Sequence, residues 1–473
     1  MAETIGKNTA RFDSGELYLA LTGERVRMSP GWNWQFEGVA TDSRLVENGN
    51  VFVALKGEKF DGHKFIPQVA RIPKIFIVHS DKNSVRGIQE LPTAYVPDTL
   101  VALGALARYH RQRFDIPLIG ITGSYGKTST RALLFVVLCS KFNTLTSQAN
   151  FNNEIGVPMT LFQLDETHEA AVIEMGMRGR DQIDYLAKVA EPTIGVITNI
   201  GPQHIELLGS IEEVALAKAE LLENLPENGL AVLPFDSPFL ELLKSKCKCR
   251  IVTFGVHDGA DYRVGNAQIS PEGWVEFSIE FGENSQPITL RLPGIHNAVN
   301  ASAAFAVAHQ LGIEPSAIAL ALEGAELPGA RMRVVKPRNG VTLIDDCYNA
   351  GPDSMRAALQ TLLDFPGSGR RVAVLGSMKE LGDFSEPEHQ KIGTFAGQFV
   401  ELLIGVGGET RPLLNEASRA AREVENDMEV HWYDTAQEAQ QEIVNLVHAT
   451  DVILVKGSRS VGLEVVVEVL GAE

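Results

Sequence analysis

The sequence has little cysteine, little basic charge and no long apolar run. Lys and Arg together number 42 against 60 Asp and Glu, which gives a net charge of −18. Proteins that bind nucleic acid carry a basic patch, and no run of Lys and Arg supplies one here, so we expect no nucleic-acid partner. The best apolar candidate, Ala132 to Cys139, is far shorter than the roughly 20 residues that cross a bilayer. We therefore expect no membrane span.

The four cysteines and the N-terminus indicate the compartment. Cys247 and Cys249 are separated by one residue instead of the two of a zinc knuckle, and no second Cys or His motif accompanies them. Residues 1–15 are polar and lack the apolar core of a signal peptide. We therefore expect reduced thiols and a cytoplasmic protein.

What the sequence does have is an alternation of strand and helix patterns in three blocks. A chain of 473 residues is long enough for roughly three domains. Residues 1–112 predict a small α/β domain, and residues 113–328 predict a parallel sheet with helices on both faces and an added antiparallel ribbon over 274–292. After a linker at 327–330, residues 329–473 predict a Rossmann-like, doubly wound domain. The predicted fold class is α/β.

A phosphate-binding loop is the clearest motif. Residues 116–121 form an apolar strand pattern, a glycine turn follows, and a helix pattern begins at Thr128. This order directs backbone N–H groups at one point, which suits a phosphate. The usual G-x-x-x-x-G-K-[ST] spacing fails because position 121 is Ile121, so the loop is of a shortened type. The predicted nucleotide-binding residues are Gly123, Ser124, Gly126, Lys127, Thr128 and Ser129.

Two further residues follow strands in the same block. Glu174 ends the buried-type strand 170–174, and His204 follows the strand 193–199. Ligands of parallel sheets bind beyond the carboxyl ends of the strands, so both side chains are placed near the loop. We expect Glu174 to bind Mg²⁺ beside Thr128. For His204, an ordinary hydrogen-bonded loop histidine is the alternative.

Several motifs resemble one known family. These are GSYGKT at 123–128, NNEIGVP at 152–158, TNIG at 198–201 with His204, KAE at 218–220, HN at 296–297 with Asn300, and DCYNA at 346–350. Together they resemble the Mur ligases, which are three-domain ATP-dependent enzymes that build the peptide stem of the bacterial cell-wall precursor. The resemblance covers nearly the whole chain and includes the shortened loop. It implies that a peptide carboxylate takes the γ-phosphate of ATP and that an amine then displaces the phosphate to form an amide.

The resemblance also indicates the substrates. Residues 41–44, 52–57 and 61–63 resemble the uridine-diphosphate-binding domain of the members that add the third residue or the final dipeptide. Residues 150–158, 348–355 and 375–382 with His389 favour the dipeptide-adding member. UDP-N-acetylmuramoyl-tripeptide and D-alanyl-D-alanine are then the substrates of a monomer that uses ATP and two Mg²⁺ ions. The member that adds the third residue is the alternative, although the Asp-Asn-Pro-Arg segment of the diaminopimelate-adding enzyme is absent.

Single positions take their roles from the resemblance. Asn297 is implied to contact adenine, and Arg331 and Asp346 to reach ATP from the last domain, which would close the ATP site. Lys218 follows His204 by fourteen residues, where several members carry a carbamylated lysine. The i, i+3, i+4 pattern of residues 211–225 places Lys218 on the apolar, inward face. A buried lysine is costly, so without the resemblance we would expect its side chain to extend to the surface. The expected metal ligands are Thr128, Glu174, His204 and N6-carboxylysine at Lys218; the expected catalytic residues are Lys127, Glu174, His204 and Lys218.

The substrate side is less well marked. We assign Lys456 and Arg459 to the carboxylate of the incoming dipeptide, and Ser43, Arg44 and His63 to the uridine end of the other substrate. The remaining substrate candidates are Asn150, Asn153, Tyr348 and Asn349. Two positions depart from the family pattern: Tyr125 is bulky for this loop, and Gly351 stands where Asn is more usual.

Two other classes of protein are weighed against the ligase. A P-loop switch or motor would need a Walker-B aspartate or the Asn-Lys-x-Asp guanine signature, and the sequence has neither. A non-catalytic UDP-sugar sensor would keep the N-terminal block but would not need Lys127, Glu174 and His204 together. ADP release that depends on both the UDP-tripeptide and the dipeptide would separate the ligase from both.

Overall fold

The computed structural model describes residues 8–21, 27–28, 35–57, 60–82, 91–148, 150–203, 205–337 and 340–471. Three sheets of more than two strands follow one another along this part of the chain. We call the segments that carry them the N-terminal, central and C-terminal domains. No helix within the described ranges is both long enough and apolar enough to cross a membrane.

The N-terminal domain is built on a mainly parallel sheet. Its strands are β1 (Arg11–Asp13), β2 (Arg27–Met28), β3 (Gln35–Glu37), β4 (Val39–Ala40), β5 (Val51–Val53), β6 (Ile75–His79) and β7 (Thr93–Val96), and its helices are α1 (Ser14–Leu21), α2 (Ile66–Val69) and α3 (Thr99–Arg111). The sheet order is β2-β7-β6-β5-β4, with β2 antiparallel, while β1 pairs with β3. Strands β5 and β6 are apolar on both faces, as expected for a sheet covered on both sides.

The central domain carries the predicted parallel sheet and ribbon. Its strands are β8 (Leu118–Thr122), β9 (Thr144–Thr146), β10 (Ala170–Glu174), β11 (Ile194–Ile197), β12 (Leu230–Pro234), β13 (Arg250–Gly255), β14 (Tyr262–Ile269), β15 (Val275–Phe281) and β16 (Asn284–Leu290). Its helices are α4 (Lys127–Leu138), α5 (Gly156–Leu161), α6 (Gln182–Ala190), α7 (Ile205–Leu208), α8 (Ile211–Glu223), α9 (Leu240–Ser245), α10 (His296–Gln310) and α11 (Pro315–Glu323). From β9 at one edge to β14 the strands are parallel, and β15 and β16 extend the sheet from β14 as an antiparallel ribbon.

The C-terminal domain is the second doubly wound sheet. Its strands are β17 (Arg333–Val335), β18 (Thr342–Asp345), β19 (Arg371–Gly376), β20 (Leu402–Val406), β21 (Glu429–Tyr433) and β22 (Val452–Lys456), and its helices are α12 (Pro352–Asp364), α13 (Ser385–Gly397), α14 (Arg411–Glu423), α15 (Ala436–Leu446) and α16 (Glu464–Gly471). The order is β17-β18-β22-β19-β20-β21, and only the β17 pairing is antiparallel. The edge strands β17 and β21 were not predicted, because partly exposed edges lack the continuous apolar run of a central strand.

The strand order of the central sheet determines where the candidate site lies. In the central sheet β8 lies between β10 and β11, so the segments that leave these three strands meet at one edge. Helix α3 connects the first two domains and shares one apolar core with both: Val53 and Ile77 belong to the same buried cluster as Leu118 and Met175. The N-terminal domain is therefore packed firmly on the central domain.

Candidate active site

A cleft of about 660 Å³ lies at this edge, between the central and C-terminal domains. It brings together residues separated by more than three hundred positions in the sequence. The predicted residues that line it are Gly123, Ser124, Gly126, Lys127, Thr128, Ser129, Asn150, Asn153, Glu174, Lys218, Arg331, Asp346, Tyr348, Asn349 and Lys456. Ser43, Arg44, His63, Asn297 and Arg459 do not line it, and His204 lies outside the described residues.

The phosphate loop connects β8 to α4 as predicted. Gly126 has φ +76°, the left-handed conformation that glycine adopts without strain, and Lys127 begins the helix. The Lys127 ammonium donates to the carbonyl oxygens of Gly123 at 2.6 Å and Ser124 at 3.1 Å. The first N–H groups of α4 have no partner within the helix and point into the cleft. Burial lowers the pKa of Lys127, while the neighbouring Glu174 carboxylate raises it.

Asn199, which follows β11, holds the loop from the other side. Its Oδ1 accepts from the backbone N–H groups of Ser124 at 3.1 Å and Tyr125 at 3.0 Å. The Ser124 hydroxyl donates to the Gly201 carbonyl oxygen and accepts from the Gly201 N–H, both at 2.9 Å. The loop and the segment after β11 therefore form one fixed unit.

Glu174 lies at the end of β10 and is 3 % exposed. Its Oε1 accepts from Asn152 Nδ2 at 2.9 Å. Arg131 Nε lies 3.6 Å from Oε2, which is too far for a hydrogen bond, and Oε2 has no donor among the described residues. A buried carboxylate oxygen without a donor is suited to a cation. The described ranges contain no cluster of three His, Cys, Asp or Glu side chains that would hold a metal without further ligands.

Lys218 lies on the inward face of α8 and is 1 % exposed. Within the described part of the chain its ammonium has no hydrogen bond and no ion pair. Burial lowers the pKa of Lys218 well below its usual value, and the positive charge of Lys127 lowers it further. The alternative of a lysine that reaches the protein surface is therefore wrong.

On the opposite wall, Arg331 and Tyr348 contact the central domain. Arg331 Nη2 donates to the Thr128 hydroxyl at 3.4 Å, and its guanidinium stacks 3.8 Å from the centre of the Tyr348 ring. The Tyr348 hydroxyl donates to Asn150 Oδ1. These two contacts connect the C-terminal domain to the phosphate loop and to the segment after β9.

Lys456 has partners inside the protein. It is 3 % exposed, and its ammonium donates to Asp346 Oδ2 at 2.5 Å and to the Asn349 carbonyl oxygen at 3.0 Å. Its charge is thus neutralised inside the protein, and its contact with a substrate carboxylate stays a prediction. Arg459 stays exposed, pairs with Glu464 and lies 5.6 Å from the Tyr348 ring at the margin of the cleft.

Asn297 faces the core, and its contact with adenine stays a prediction. It is 1 % exposed, its Nδ2 donates to the Pro293 carbonyl oxygen at 2.8 Å, and its Oδ1 accepts from Asn300 at 3.3 Å. His296 and Asn300 line the cleft instead. The physical reason is the 3.6-residue period of α10, which turns the side chain at 297 into the core.

The residues predicted to bind the uridine end of the substrate differ in their burial and in their partners. His63 is 2 % exposed; its Nδ1 lies 2.6 Å from Asp61 Oδ1, and its Nε2 accepts from the His79 N–H at 3.0 Å. Both ring nitrogens are thus used to fix the loop before α2, and the binding of uridine by His63 stays a prediction. Arg44 is exposed and paired with Asp42, an arrangement that a ligand can displace at little cost. Ser43 lies beside it.

Among the cleft residues that were not assigned from the sequence are Asn152, Gln203 and Asp353. Asn152 belongs to a motif already singled out, but its contact with Glu174 depends on the fold. Neither periodicity nor a spacing rule marks Gln203 or Asp353, because the first lies on a loop and the second begins a helix of another domain.

Family models match three consecutive parts of the chain. The model described as Mur ligase family, catalytic domain, matches residues 35–111. The Mur ligase middle domain matches residues 121–308. The model described as Mur ligase, glutamate ligase domain, matches residues 330–459.

Individual relatives extend over almost the full length. The UDP-N-acetylmuramoyl-tripeptide–D-alanyl-D-alanine ligase of Synechocystis is 39 % identical, with 93 % of each chain covered. Among solved structures, MurF from Acinetobacter baumannii superposes with a TM-score of 0.88 at 31 % identity, covering 98 % of this chain and all of that one. MurF of Thermotoga maritima in complex with ADP gives a TM-score of 0.81 at 26 % identity, covering 92 % and 96 %. These matches show that the chain belongs to the Mur ligase family, in agreement with a cleft that contains the shortened phosphate loop, Glu174 and Lys218.

Proposed function

We propose that this chain is an ATP-dependent ligase that joins D-alanyl-D-alanine to UDP-N-acetylmuramoyl-tripeptide in peptidoglycan precursor synthesis. The observation that carries the proposal is the single cleft in which Lys127, Glu174 and Lys218 face Arg331 and Asp346 of another domain. The Synechocystis relative is named for the same two substrates, and the Thermotoga maritima structure holds ADP.

The chemistry needs ATP because a carboxylate has no good leaving group. The terminal carboxylate of the tripeptide takes the γ-phosphoryl group, and the amine of the dipeptide then displaces phosphate from the resulting acyl phosphate. Lys127, the N–H groups of α4 and Arg331 stabilise the negative charge that spreads during both steps. The contacts of Arg331 and Tyr348 across the cleft exclude water, which would otherwise hydrolyse the acyl phosphate.

Mg²⁺ fits the wall of the cleft that the central domain forms, which we call the central wall; the wall formed by the C-terminal domain is the C-terminal wall. Thr128 and Glu174 would hold it together with the phosphates, because Mg²⁺ commonly takes only one or two protein ligands and keeps several waters. When bound, it neutralises charge on the transferred phosphoryl group. His204 would complete a second site.

Lys218 would supply the other ligand of that second site as a carbamate. Carbon dioxide reacts only with the neutral amine, and burial favours that form of Lys218. An ammonium there would repel a metal, whereas the carbamate has a carboxylate-like end. Its expected signature is a mass increase at Lys218 in bicarbonate buffer that disappears on acidification.

The experiment measures ADP release by the purified chain with each substrate omitted in turn. We expect release only when ATP, the UDP-tripeptide and D-alanyl-D-alanine are all present, together with the UDP-linked pentapeptide as product. Steady hydrolysis without the pair would favour a P-loop switch. Tight binding of the UDP-sugar without any turnover would favour a sensor.

The ligase that adds the third residue is the nearest alternative. A competition assay distinguishes it, with UDP-linked dipeptide and a free diamino acid offered beside the tripeptide and D-alanyl-D-alanine. We expect only the second pair to be joined, and incorporation of the free amino acid would contradict the proposal.

We also propose domain boundaries at residues 112 and 328 and a cytoplasmic monomer. The linker at 327–330 has neither helix nor strand and is suited to proteolysis. Limited proteolysis should cut there first, and sedimentation should give the mass of one chain, 51.5 kDa.

A further inference from the structure

The incoming dipeptide poses a problem of charge that the residues assigned so far do not solve. At neutral pH its amino group is an ammonium ion, since an α-amino group has a pKa of about 8. An ammonium has no lone pair, so it must lose a proton before it attacks the acyl phosphate. An anion in the cleft that binds the ammonium and accepts a proton would solve this problem, if the proposed function is right.

Among the described residues, five carboxylates line the cleft: Glu154, Glu174, Asp346, Asp353 and Glu380. Asp346 is paired with Lys456, Glu174 is held by Asn152 beside the metal position, and Glu380 has an interaction of its own. Two remain whose carboxylates have no hydrogen bond or ion pair within the described ranges, Glu154 and Asp353. Glu154 precedes α5 and its charge acts on Tyr185, which reaches towards Leu100 of α3. It is thus on the side of the N-terminal domain.

Asp353, in the first turn of α12, lies on the side where the acyl phosphate would form. Its Oδ2 approaches Gly201 so closely that a Cβ at that glycine would come within 2.0 Å of it. Gly201 is bound reciprocally to the Ser124 hydroxyl, so Asp353 lies beside the phosphate loop although it belongs to another domain.

A second polar group without a hydrogen-bond partner lies two residues after Gly201. Gln203 Oε1 is buried in the cleft lining, and no donor reaches it among the described residues. A buried acceptor without a donor is costly unless a ligand supplies the donor. Asp353 and Gln203 thus offer acceptors from the two opposite walls, which is what an ammonium with three N–H groups requires.

We infer that Asp353, together with Gln203, binds the ammonium group of the incoming dipeptide and that Asp353 accepts one of its protons. The freed lone pair attacks the acyl carbon; the C–N bond forms, and the bond from carbon to the phosphate oxygen breaks with its electron pair leaving on phosphate. Of the three ammonium protons, one stays on the amide, one goes to Asp353 and one leaves with phosphate. Asp353 returns its proton to solvent after release of the product.

The surroundings of Asp353 suit a proton acceptor. Burial and the Glu388 carboxylate of α13 raise the pKa of Asp353, against the opposing effects of Lys391 of α13 and Arg356 of α12. Neither cation lies within ion-pair distance of it. On the central wall, Tyr125 of the phosphate loop feels the Asp353 charge: burial and that charge raise the pKa of Tyr125 to about 12, which keeps it protonated.

The test is Asp353→Asn, which keeps the shape of the side chain but removes its charge. We expect kcat/KM for D-alanyl-D-alanine to fall about 100-fold at pH 7, the lower end of general-base effects, with KM for ATP unchanged. The defect should shrink below about tenfold at pH 9.5, because most of the dipeptide is then already a free amine. Asp364→Asn, an exposed aspartate at the far end of α12, is the matched control and should match the wild type.

Hydroxylamine separates this inference from the proposed function. It is largely uncharged at neutral pH and traps an acyl phosphate as a hydroxamate without the dipeptide. Asp353→Asn should form hydroxamate at the wild-type rate, which also shows that the variant is folded. If wild-type protein forms neither hydroxamate nor dipeptide product, the proposed function fails. If the wild type forms both and Asp353→Asn keeps full dipeptide ligation at pH 7, or if only Glu154→Gln shows the pH-dependent defect, the inference about Asp353 is wrong.

Discussion

The central and C-terminal walls of the cleft hold their buried charges in opposite ways. On the central wall, Lys218 has no partner within the described part of the chain, and one oxygen of Glu174 has no donor there. On the C-terminal wall, Lys456 is paired with Asp346 at 2.5 Å and is hydrogen-bonded to the Asn349 carbonyl oxygen. Lys218 and Lys456 are 1 % and 3 % exposed, so burial alone does not explain the difference.

The difference separates charged side chains that are available to a ligand from charged side chains that stabilise the fold. A buried charge without a partner lowers stability, and such groups are concentrated at functional sites. A buried ion pair is already satisfied, and its loss is felt first in the stability of the fold. We therefore expect substitutions on the central wall to reduce turnover and substitutions of the paired residues on the C-terminal wall to reduce stability.

The largest expected effect is at Lys218. Lys218→Ala should lower turnover by about a thousandfold or more, because the second Mg²⁺, which stabilises the charge on the transferred phosphoryl group, loses a ligand. The melting temperature should stay the same or rise. Formate or acetate should restore part of the activity by replacing the carbamate. Lys246→Ala, at a surface lysine paired with Glu223, is the control. Wild-type turnover of Lys218→Ala in bicarbonate-depleted buffer would contradict both the carbamate and the comparison of the two walls.

Lys456 should show the reverse behaviour. Lys456→Ala leaves Asp346 buried without its partner, and removal of one member of such a pair costs about 3–5 kcal/mol. Urea denaturation measures this loss. Lys379→Ala, which breaks the exposed Lys379–Glu409 pair, should cost at most about 1 kcal/mol. A Lys456→Ala protein of unchanged stability whose KM rises only for the dipeptide would restore the role first predicted for this lysine.

Ile205 tests how the two walls are coupled. It is the first residue of α7 in the central domain. Yet it is 2 % exposed and belongs to the apolar cluster of the C-terminal domain with Met378 and Leu381. Ile205→Ala should lower turnover about tenfold, because docking loses roughly 1–2 kcal/mol of apolar burial. Leu207, which is 70 % exposed in the same helix, provides the control variant Leu207→Ala. Equal effects of the two substitutions would show that the contact does not matter for catalysis.

The smallest effect is expected for Tyr348→Phe. The substitution removes the hydrogen bond to Asn150 across the cleft but keeps the ring beneath Arg331. A loss of about 0.5–1.5 kcal/mol corresponds to a decrease in kcat/KM of between about twofold and tenfold. Asn150→Ala should have the same effect, and the double variant should be no worse than either single one. Additive losses would mean that the two side chains act separately.

The phosphate loop and Glu174 were predictable from the sequence because their positions depend on neighbours along the chain. An apolar strand, a glycine turn and a helix are local patterns, and Glu174 ends its own strand. The inward position of Lys218 followed from the period of α8. The burial of Asn297 was not predicted although the helix was, because two adjacent residues differ only in which face of α10 meets the core. The contacts of His63 were not predictable either, because its partners, Asp61 and His79, are brought to it by the turn before α2 and by β6.

The sequence by itself determined the α/β class, the three successive blocks and the nucleotide loop, since hydrophobic periodicity and glycine placement are properties of short segments. Only the tertiary structure decided which charges are paired. Lys456 meets Asp346 across 110 residues, and Asp353 reaches Gly201 from another domain. The free energy of a buried charge depends on the groups around it in space, and no local pattern contains those groups.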